Sequence, residues 1–413
     1  MSEPFVSTML EQIKLNNDKF TSLDLSGNEL REKIGLDIAH AMEGNTTLTT
    51  MDLGDNRFNK HMGQDFGDVV GVAIAKALER NTTLLTLNLK NNGFGEKFGF
   101  AIVSLLSNNT TLTELNIANN RINDYSAKYI ASSLKKQNTT LTELNIGENY
   151  LREDFSKAIV KALKRNTTLT SLHIDGGYND FGEGFSLAIV NAMKINTTLT
   201  KLYLANKNPH GESIGVGVAG LLEGNTTLET LGLCCNNLEA VGGEAFAGLL
   251  EKNTTLTSLN ILSGQPEDEF CIDEFYIAVV CALERNTTLM TLELNCIELT
   301  EDFGVAVEDV LKKNTTLTEL NLPLNYLRNV GGAALMRMLE SNTTLTSLDL
   351  SYNRLTEGFG EIVLDLLKKN TSLTSLGIDS DIDYYSDIQG ILSEREPPIQ
   401  GPMVKVAMPS LPR

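Results

Sequence analysis

The sequence predicts an α/β repeat solenoid: a right-handed βα horseshoe with an inner parallel β-sheet and outer helices. Three observations predict it: a recurring motif, an alternating apolar pattern within the motif, and a helical apolar pattern between its copies. Variants of NTTLTxLxLxxNxL occur thirteen times between Asn17 and Leu373, mostly 28 or 29 residues apart. Self-similarity at this period marks supersecondary units that cannot bury an apolar face alone and must stack on neighbours. A stacked array also escapes the size limit on a single closed core, so the 413 residues read as one elongated domain.

In chain order, Phe5 to Leu15 reads as a helix covering the open end of the array, within an N-terminal capping unit of residues 1–16. The array itself spans residues 17–393, in about thirteen repeats. Residues after 383 should partly cover the far end, and the Pro-rich tail 394–413 has the composition of a flexible segment.

Within a repeat, LTELNIANNRI (112–122) places Leu112, Leu115, Ile117 and Ile122 inward, while Glu114, Asn116 and Ala118 alternate outward. That is a short strand. In LREDFSKAIVKALKRN, the residues Leu151, Phe155, Ala158, Ile159, Ala162 and Leu163 fall at offsets 0, 4, 7, 8, 11 and 12, which is one face of a helix. Leu355, Phe359, Ile362, Val363, Leu366 and Leu367 repeat those offsets elsewhere. With strands ~4.8 Å apart, thirteen of them form a sheet on the order of 60 Å along its curve. Helices are wider than strands, so the sheet should line the concave side.

Two asparagine columns punctuate the array. The first (Asn45, Asn81, Asn109 and onward to Asn370) follows each helix, where a left-handed residue is expected to terminate it. Each NTT or NTS is formally a glycosylation acceptor, but a stacked column at a helix end is better read as structural. The second (Asn28, Asn56, Asn92, Asn120, Asn149, Asn236, Asn325, Asn353) leaves the strand, where an amide side chain can satisfy the backbone of the turn.

The LxxLxLxxNxL pattern on helix-bearing units of 28 or 29 residues resembles the ribonuclease-inhibitor type of leucine-rich repeat over roughly residues 17–393. The near-identical NTTLT blocks are similar to arrays in protists and in host-directed effector proteins of intracellular bacteria. The resemblance implies a cytoplasmic protein, in the host cytosol if an effector, that binds proteins with its concave face and rim loops. The resembled class includes ribonuclease inhibitors, Ran-type GTPase activators and the sensor ends of immune receptors, so fold alone does not choose a function.

Charge narrows the partner. A net charge of −19 and a pI near 4.7 oppose binding to nucleic acid or an anionic membrane and favour a basic protein. No apolar stretch has the length of a membrane span or a Sec-type signal. Five cysteines without framework spacing read as reduced thiols. The four histidines lack ligand spacing, Cys234 and Cys235 are adjacent, which is not CxxC spacing, and no GxxxxGK[ST] loop is present. The sequence therefore predicts no catalytic residue, metal or cofactor, and a monomeric binding protein that captures or masks its partner, with inhibition and recruitment both open as outcomes. A GTPase activator of the Ran-activator type is one alternative, but the tail lacks that group's acidic run: it holds Lys405 and Arg413, and only two glutamates in its last twenty residues. A structural scaffold is the other.

The concave floor can be read from residues flanking the strand leucines. The central column runs from Asp24 through Asn145, His173, Tyr203, Gly232, Asn260, Glu293 and Asn321 to Gly377, mostly small, polar and acidic. The preceding column adds Glu114, Glu143 and Glu319, while Lys90 and Lys201 are the main cations. His173 and Tyr203 alone bring rings to the central column, beside Asp175 and Lys201, and a ring on a polar floor is a candidate hot spot. Tyr178 joins this proposed contact in an inserted loop, IDGGYNDFGEGF. Consensus also fails at Lys207 and Ile297 and in ILSGQPEDEFCIDEFY, placing loops near 175–185, 205–214 and 262–275 on one rim, and another insertion makes a unit of 36 residues after Asn56.

Overall fold

The computed structural model describes residues 3–58, 67–135, 138–176, 179–182, 184–205, 220, 223–234, 240–262 and 273–395. Tyr178, Lys207, Asn236, most of the inserted loops and the Pro-rich tail lie outside these. Thirteen parallel strands form one open sheet in strict sequence order: β1 (Ser22–Asp24), β2 (Thr50–Asp52), β3 (Thr86–Asn88), β4 (Glu114–Asn116), β5 (Glu143–Asn145), β6 (Ser171–Ile174), β7 (Lys201–Ala205), β8 (Thr230–Cys234), β9 (Ser258–Leu262), β10 (Thr291–Asn295), β11 (Glu319–Asn321), β12 (Ser347–Asp349) and β13 (Ser375–Gly377). Thirteen α-helices among the described residues alternate with them, from Glu3–Lys14 to Tyr385–Ser393. This is the solenoid that the period predicts.

The core is one continuous apolar slab between sheet and helices. In the helix Glu153–Leu163, Phe155, Ile159, Ala162 and Leu163 are buried as the offsets require, and Ser156 and Val160 widen the stripe. The phenylalanine at the helix start recurs as Phe98, Phe155, Phe275, Phe303 and Phe359, all almost wholly buried. Phe94 and Phe98 pack at 4.7 Å, and Phe181 and Phe185 at 4.5 Å, between ring centroids. Two residues depart from the pattern. Ala118 is buried, because the strand ends at Asn116 and the turn after it is enclosed by neighbouring turns; its carbonyl accepts from the Asn91 N–H. Ile362 is exposed, because it sits at the margin of a helical face whose centre is Phe359, Val363 and Leu366.

The first asparagine column does not use the left-handed conformation: Asn109 has φ −79° and ψ 136°, and Asn314 has φ −68° and ψ 131°. Its work is done by the side chain. Asn109 Oδ1 accepts from the N–H groups of Thr111 and Leu112 at 2.9 and 2.8 Å. Its Nδ2 donates to the carbonyl of Leu78, at the end of the previous helix, at 2.8 Å. Asparagine is required because one planar group both accepts and donates, joining the start of one strand to the orphan carbonyls of the preceding helix.

The second column behaves as its position predicts. Asn120 Oδ1 accepts from Asn92 N–H and Phe94 N–H, at 3.1 and 3.0 Å, and Nδ2 donates to the carbonyls of Leu89, Ile117 and Ala118. In the inserted unit Asn179 takes this role for Leu151 N–H at 3.0 Å, a substitution the insertion hid from sequence spacing.

Helices are capped across repeats. Asp68 accepts from Gly95 and Lys97 N–H, Asp124 from Arg152, Asp154 and Phe155 N–H, and Asp273 from Thr300. A carboxylate at a helix N-terminus also suits the dipole. At the array ends, Asn45 Nδ2 donates to Ile13 O of the first helix at 2.8 Å. The Arg395 guanidinium donates to Leu367 O at 2.7 Å and Leu373 O at 2.9 Å, replacing the next asparagine. No described helix is long and apolar enough to cross a membrane.

Candidate protein-binding face

The strand register aligns the predicted floor residue by residue. Asn145 pairs with His173, His173 with Tyr203, Tyr203 with Gly232, Gly232 with Asn260, and Asn260 with Glu293. Glu114 and Glu143 are also register partners on β4 and β5. Among residues at the position just before the central column, most are Ser or Thr, so two adjacent glutamates there place like charges opposite one another without a fold requirement.

Strand length divides the floor. In β1 to β5 and in β12 the central Asp or Asn folds back to accept the N–H two residues on: Asp24 from Ser26, Asp52 from Gly54, Asn88 from Lys90, Asn116 from Ala118, Asn145 from Gly147 and Asp349 from Ser351, at 2.8 to 3.1 Å. These Asx turns end each strand after three residues. His173, Tyr203, Gly232 and Glu293 offer no such turn, and β7 to β10 run on to five residues. Part of the acidic character of the floor is thus structural. Glu114, Glu143, Glu293 and Glu319 are the acids not used in this way.

The ring pair is ordered by its neighbours. His173 and Tyr203 stack at 4.0 Å between centroids with planes 13° apart. On the other side, a Cβ at Gly232 would lie 2.1 Å from Tyr203 Cδ1, so the tyrosine leans into space only glycine leaves. Burial depresses the His173 pKa; Asp175 opposes that and Lys201 adds to it, and the ring is neutral at neutral pH. Burial raises the Tyr203 hydroxyl, with smaller contributions from Glu293 and Asp175. Tyr203 therefore feels a carboxylate three strands away.

Glu293 is half-buried and held above the usual carboxylate range by that burial and by Glu319, against the hydrogen bonds from Asn321 and Asn260. Asn260 Nδ2 donates to Glu293 Oε2, and Asn321 Nδ2 donates to Glu319 Oε1 at 2.9 Å. Lys90 is 4.0 Å from Glu148, so that cation is already matched by an acid on the face. Lys201 is exposed at the strand position preceding Leu202. Asp175 follows β6, and its carbonyl accepts from Glu148 N–H at 2.8 Å. The sequence-predicted residues thus divide into a ring site (His173, Tyr203, Asp175, Lys201, next to Asn145) and two glutamate pairs (Glu114 with Glu143, Glu293 with Glu319). Gly232 and Asn260, which order this row, carry no distinctive sequence signal. Their roles come from what leans on them.

Residues 100–215 match the family model described as the TMOD/LMOD leucine-rich domain. Residues 80–97, 224–247, 313–336 and 341–357 match the Leucine Rich repeat model. Among solved structures, the tropomodulin C-terminal domain from Caenorhabditis elegans aligns with 9% identity and a TM-score of 0.30, over 46% of this chain and 92% of that one. No curated protein matches the sequence.

Proposed function

As a leucine-rich-repeat protein, the chain offers an extended surface, and we propose that it is a non-enzymatic binding module that holds a basic surface of another protein against its concave face. Leucine-rich repeats generally serve protein–protein interaction. The observation that carries the reading is the stacked His173–Tyr203 pair standing on an otherwise small, polar and acidic floor. Rings already fixed by stacking lose little freedom on binding, and such residues dominate interface energetics. Glu114, Glu143, Glu293 and Glu319 would steer the basic partner and fix its register. The insertions that the sequence reading adds to the contact, near 175–185, 205–214 and 262–275 with Tyr178, lie largely outside the described residues. Occlusion of the partner's surface would make the protein an inhibitor, acting as a cytoplasmic monomer.

The test is affinity capture with the wild type beside a Tyr203→Ala/His173→Ala/Lys201→Glu variant, read by quantitative mass spectrometry and followed by affinity measurement. A partner held by wild type should bind Tyr203→Ala/His173→Ala weaker by about 2 kcal/mol, roughly 30-fold. Capture profiles and affinities that are the same for wild type and both variants would refute the concave-face reading.

A further inference from the structure

Just before the second asparagine column, the turn that follows each strand passes through a residue in the left-handed conformation. In the first four repeats that residue is Gly27, Asp55, Asn91 and Asn119, at φ 67°, 58°, 54° and 51°, the types that adopt this conformation with least strain. Three successive repeats near the far end place Cys296, Leu324 and Tyr352 there instead, at φ 54°, 58° and 57°. Leu324 is 50% exposed and Tyr352 66%. Cys296 N–H donates to Pro323 O at 3.3 Å and Leu324 N–H to Ser351 O at 3.0 Å, so the three turns stand side by side. Stability of the array alone would favour asparagine or glycine at these turns. A leucine and a tyrosine held there in strain, side chains outward, form an apolar ridge on the rim.

The ground beside the ridge is acidic. Beyond β13, Asp379 accepts from Tyr352 N–H at 2.8 Å, and Asp381 and Asp383 are exposed. Glu298 is exposed on the other flank. Of the two arginines nearby, Arg354 is folded over the Tyr326 ring at 4.0 Å from its centroid, and Arg328 is exposed. One segment of this chain has the matching chemistry. Residues 397–413, outside the described residues, carry Lys405 and Arg413 and no acidic residue, in a chain of net charge −19. Around that lysine run Met403, Val404, Val406, Ala407 and Met408. Length permits the contact. Arg395 is fixed at Leu367 O and Leu373 O, and from Leu373 along β13 to Asp379 is about 20 Å of extended chain. Residues 396–403 span up to about 28 Å, which brings the apolar run to Tyr352, one repeat inward.

We propose that residues 403–408 of the same chain dock on the ridge of Leu324 and Tyr352, with Lys405 toward Asp379 and Asp381, so that the basic C-terminal segment covers the exposed apolar rim. This goes beyond the concave-face reading and does not rest on it. Pro397, Pro398 and Pro402 stiffen the connection and lower the cost of ordering it. Tethering supplies a high effective concentration, so a short apolar run with one cation suffices. A second copy of the chain and a separate basic protein are the rival occupants.

The chain has no tryptophan, so Tyr352→Trp puts a single reporter on the ridge of the full chain. Its quenching by acrylamide should rise about threefold when Val404→Asp/Val406→Asp is added and about twofold with Lys405→Glu. A Tyr129→Trp reporter, on the outer helix Asp124–Ser133, should respond to neither. A fluorescein-labelled peptide of residues 397–413, followed by anisotropy, should bind the full-length Val404→Asp/Val406→Asp chain about tenfold more tightly than wild type, whose own segment competes. Adding Leu324→Asn/Tyr352→Asn, the residue of earlier repeats at both turns, should weaken that binding about tenfold without lowering the urea midpoint. Quenching unchanged by the Val404/Val406 substitutions, or peptide binding indifferent to the two asparagines, would overturn the docking and leave the ridge to a separate partner. Protection that grows with protein concentration, with dimers in sedimentation velocity that the Val404/Val406 substitutions abolish, would place the segment on a second copy and overturn the intramolecular contact.

Discussion

The flanks and the centre of this sheet are built on the same repeat but terminate their strands differently. In β1 to β5 and in β12 a central Asp or Asn bonds the backbone two residues on and closes the strand after three residues; in β7 to β10 the strands run to five. At β11 the residue two beyond Asn321 is Pro323, which has no N–H to offer, and Asn321 turns instead to Glu319. Polar residues on the flanks are therefore committed to their own backbone, whereas those of the centre are committed to one another. An acidic residue on a solenoid floor is therefore not by itself a binding residue. What matters is whether its side chain is already occupied by the turn.

The largest expected effect lies with the turn column. Asn120→Ala leaves the buried Asn92 and Phe94 N–H groups without an acceptor and takes one of the donors from three carbonyls, and should cost about 3–5 kcal/mol by urea denaturation. Asn260→Ala, in the central row, removes a half-buried amide bonded to Glu293 and should cost under about 1 kcal/mol. Similar costs at both sites would erase the distinction between the regions. An intermediate effect belongs to Gly232→Val, whose Cβ would clash with the edge of the Tyr203 ring. The ring must move off its stack, at about 1–3 kcal/mol, with a change in tyrosine near-ultraviolet dichroism that Gly248→Val, in open space, should not produce.

The smallest effect is a pH dependence. The folded pKa of His173 lies below 6.5, so the unfolded chain takes up its proton first as pH falls. Its stabilising contribution is therefore fully present above pH 6.5 and is lost as pH falls through the depressed folded value. With the ring part-exposed, the loss should stay under about 1 kcal/mol. Comparing urea midpoints of wild type and His173→Gln between about pH 7 and pH 5 isolates it, because the glutamine variant should lack this component.

Much of this was legible in the chain itself. The leucine alternation of 112–117 and the offsets of 151–163 located strands and helices because each depends on local geometry and one buried face. The floor column could be written out in register because each repeat adds one strand in parallel, and His173, Tyr203 and the four glutamates stand where the repeat places them. The expectation of a left-handed residue at Asn109 did not hold, since a helix followed by asparagine permits either a backbone or a side-chain solution. Choosing between them requires the carbonyl of Leu78, a full repeat away.

Repeat period and apolar pattern suffice for the solenoid, the number of strands and the face of most side chains, because they act over a few residues and recur. Packing between repeats sets which polar side chains are spent on turns, lets Tyr203 lean on the absent side chain at Gly232, and has Asn260 hold Glu293. Those outcomes depend on contacts between residues about thirty positions apart, where the direction of a side chain is set by what the neighbouring repeat leaves open.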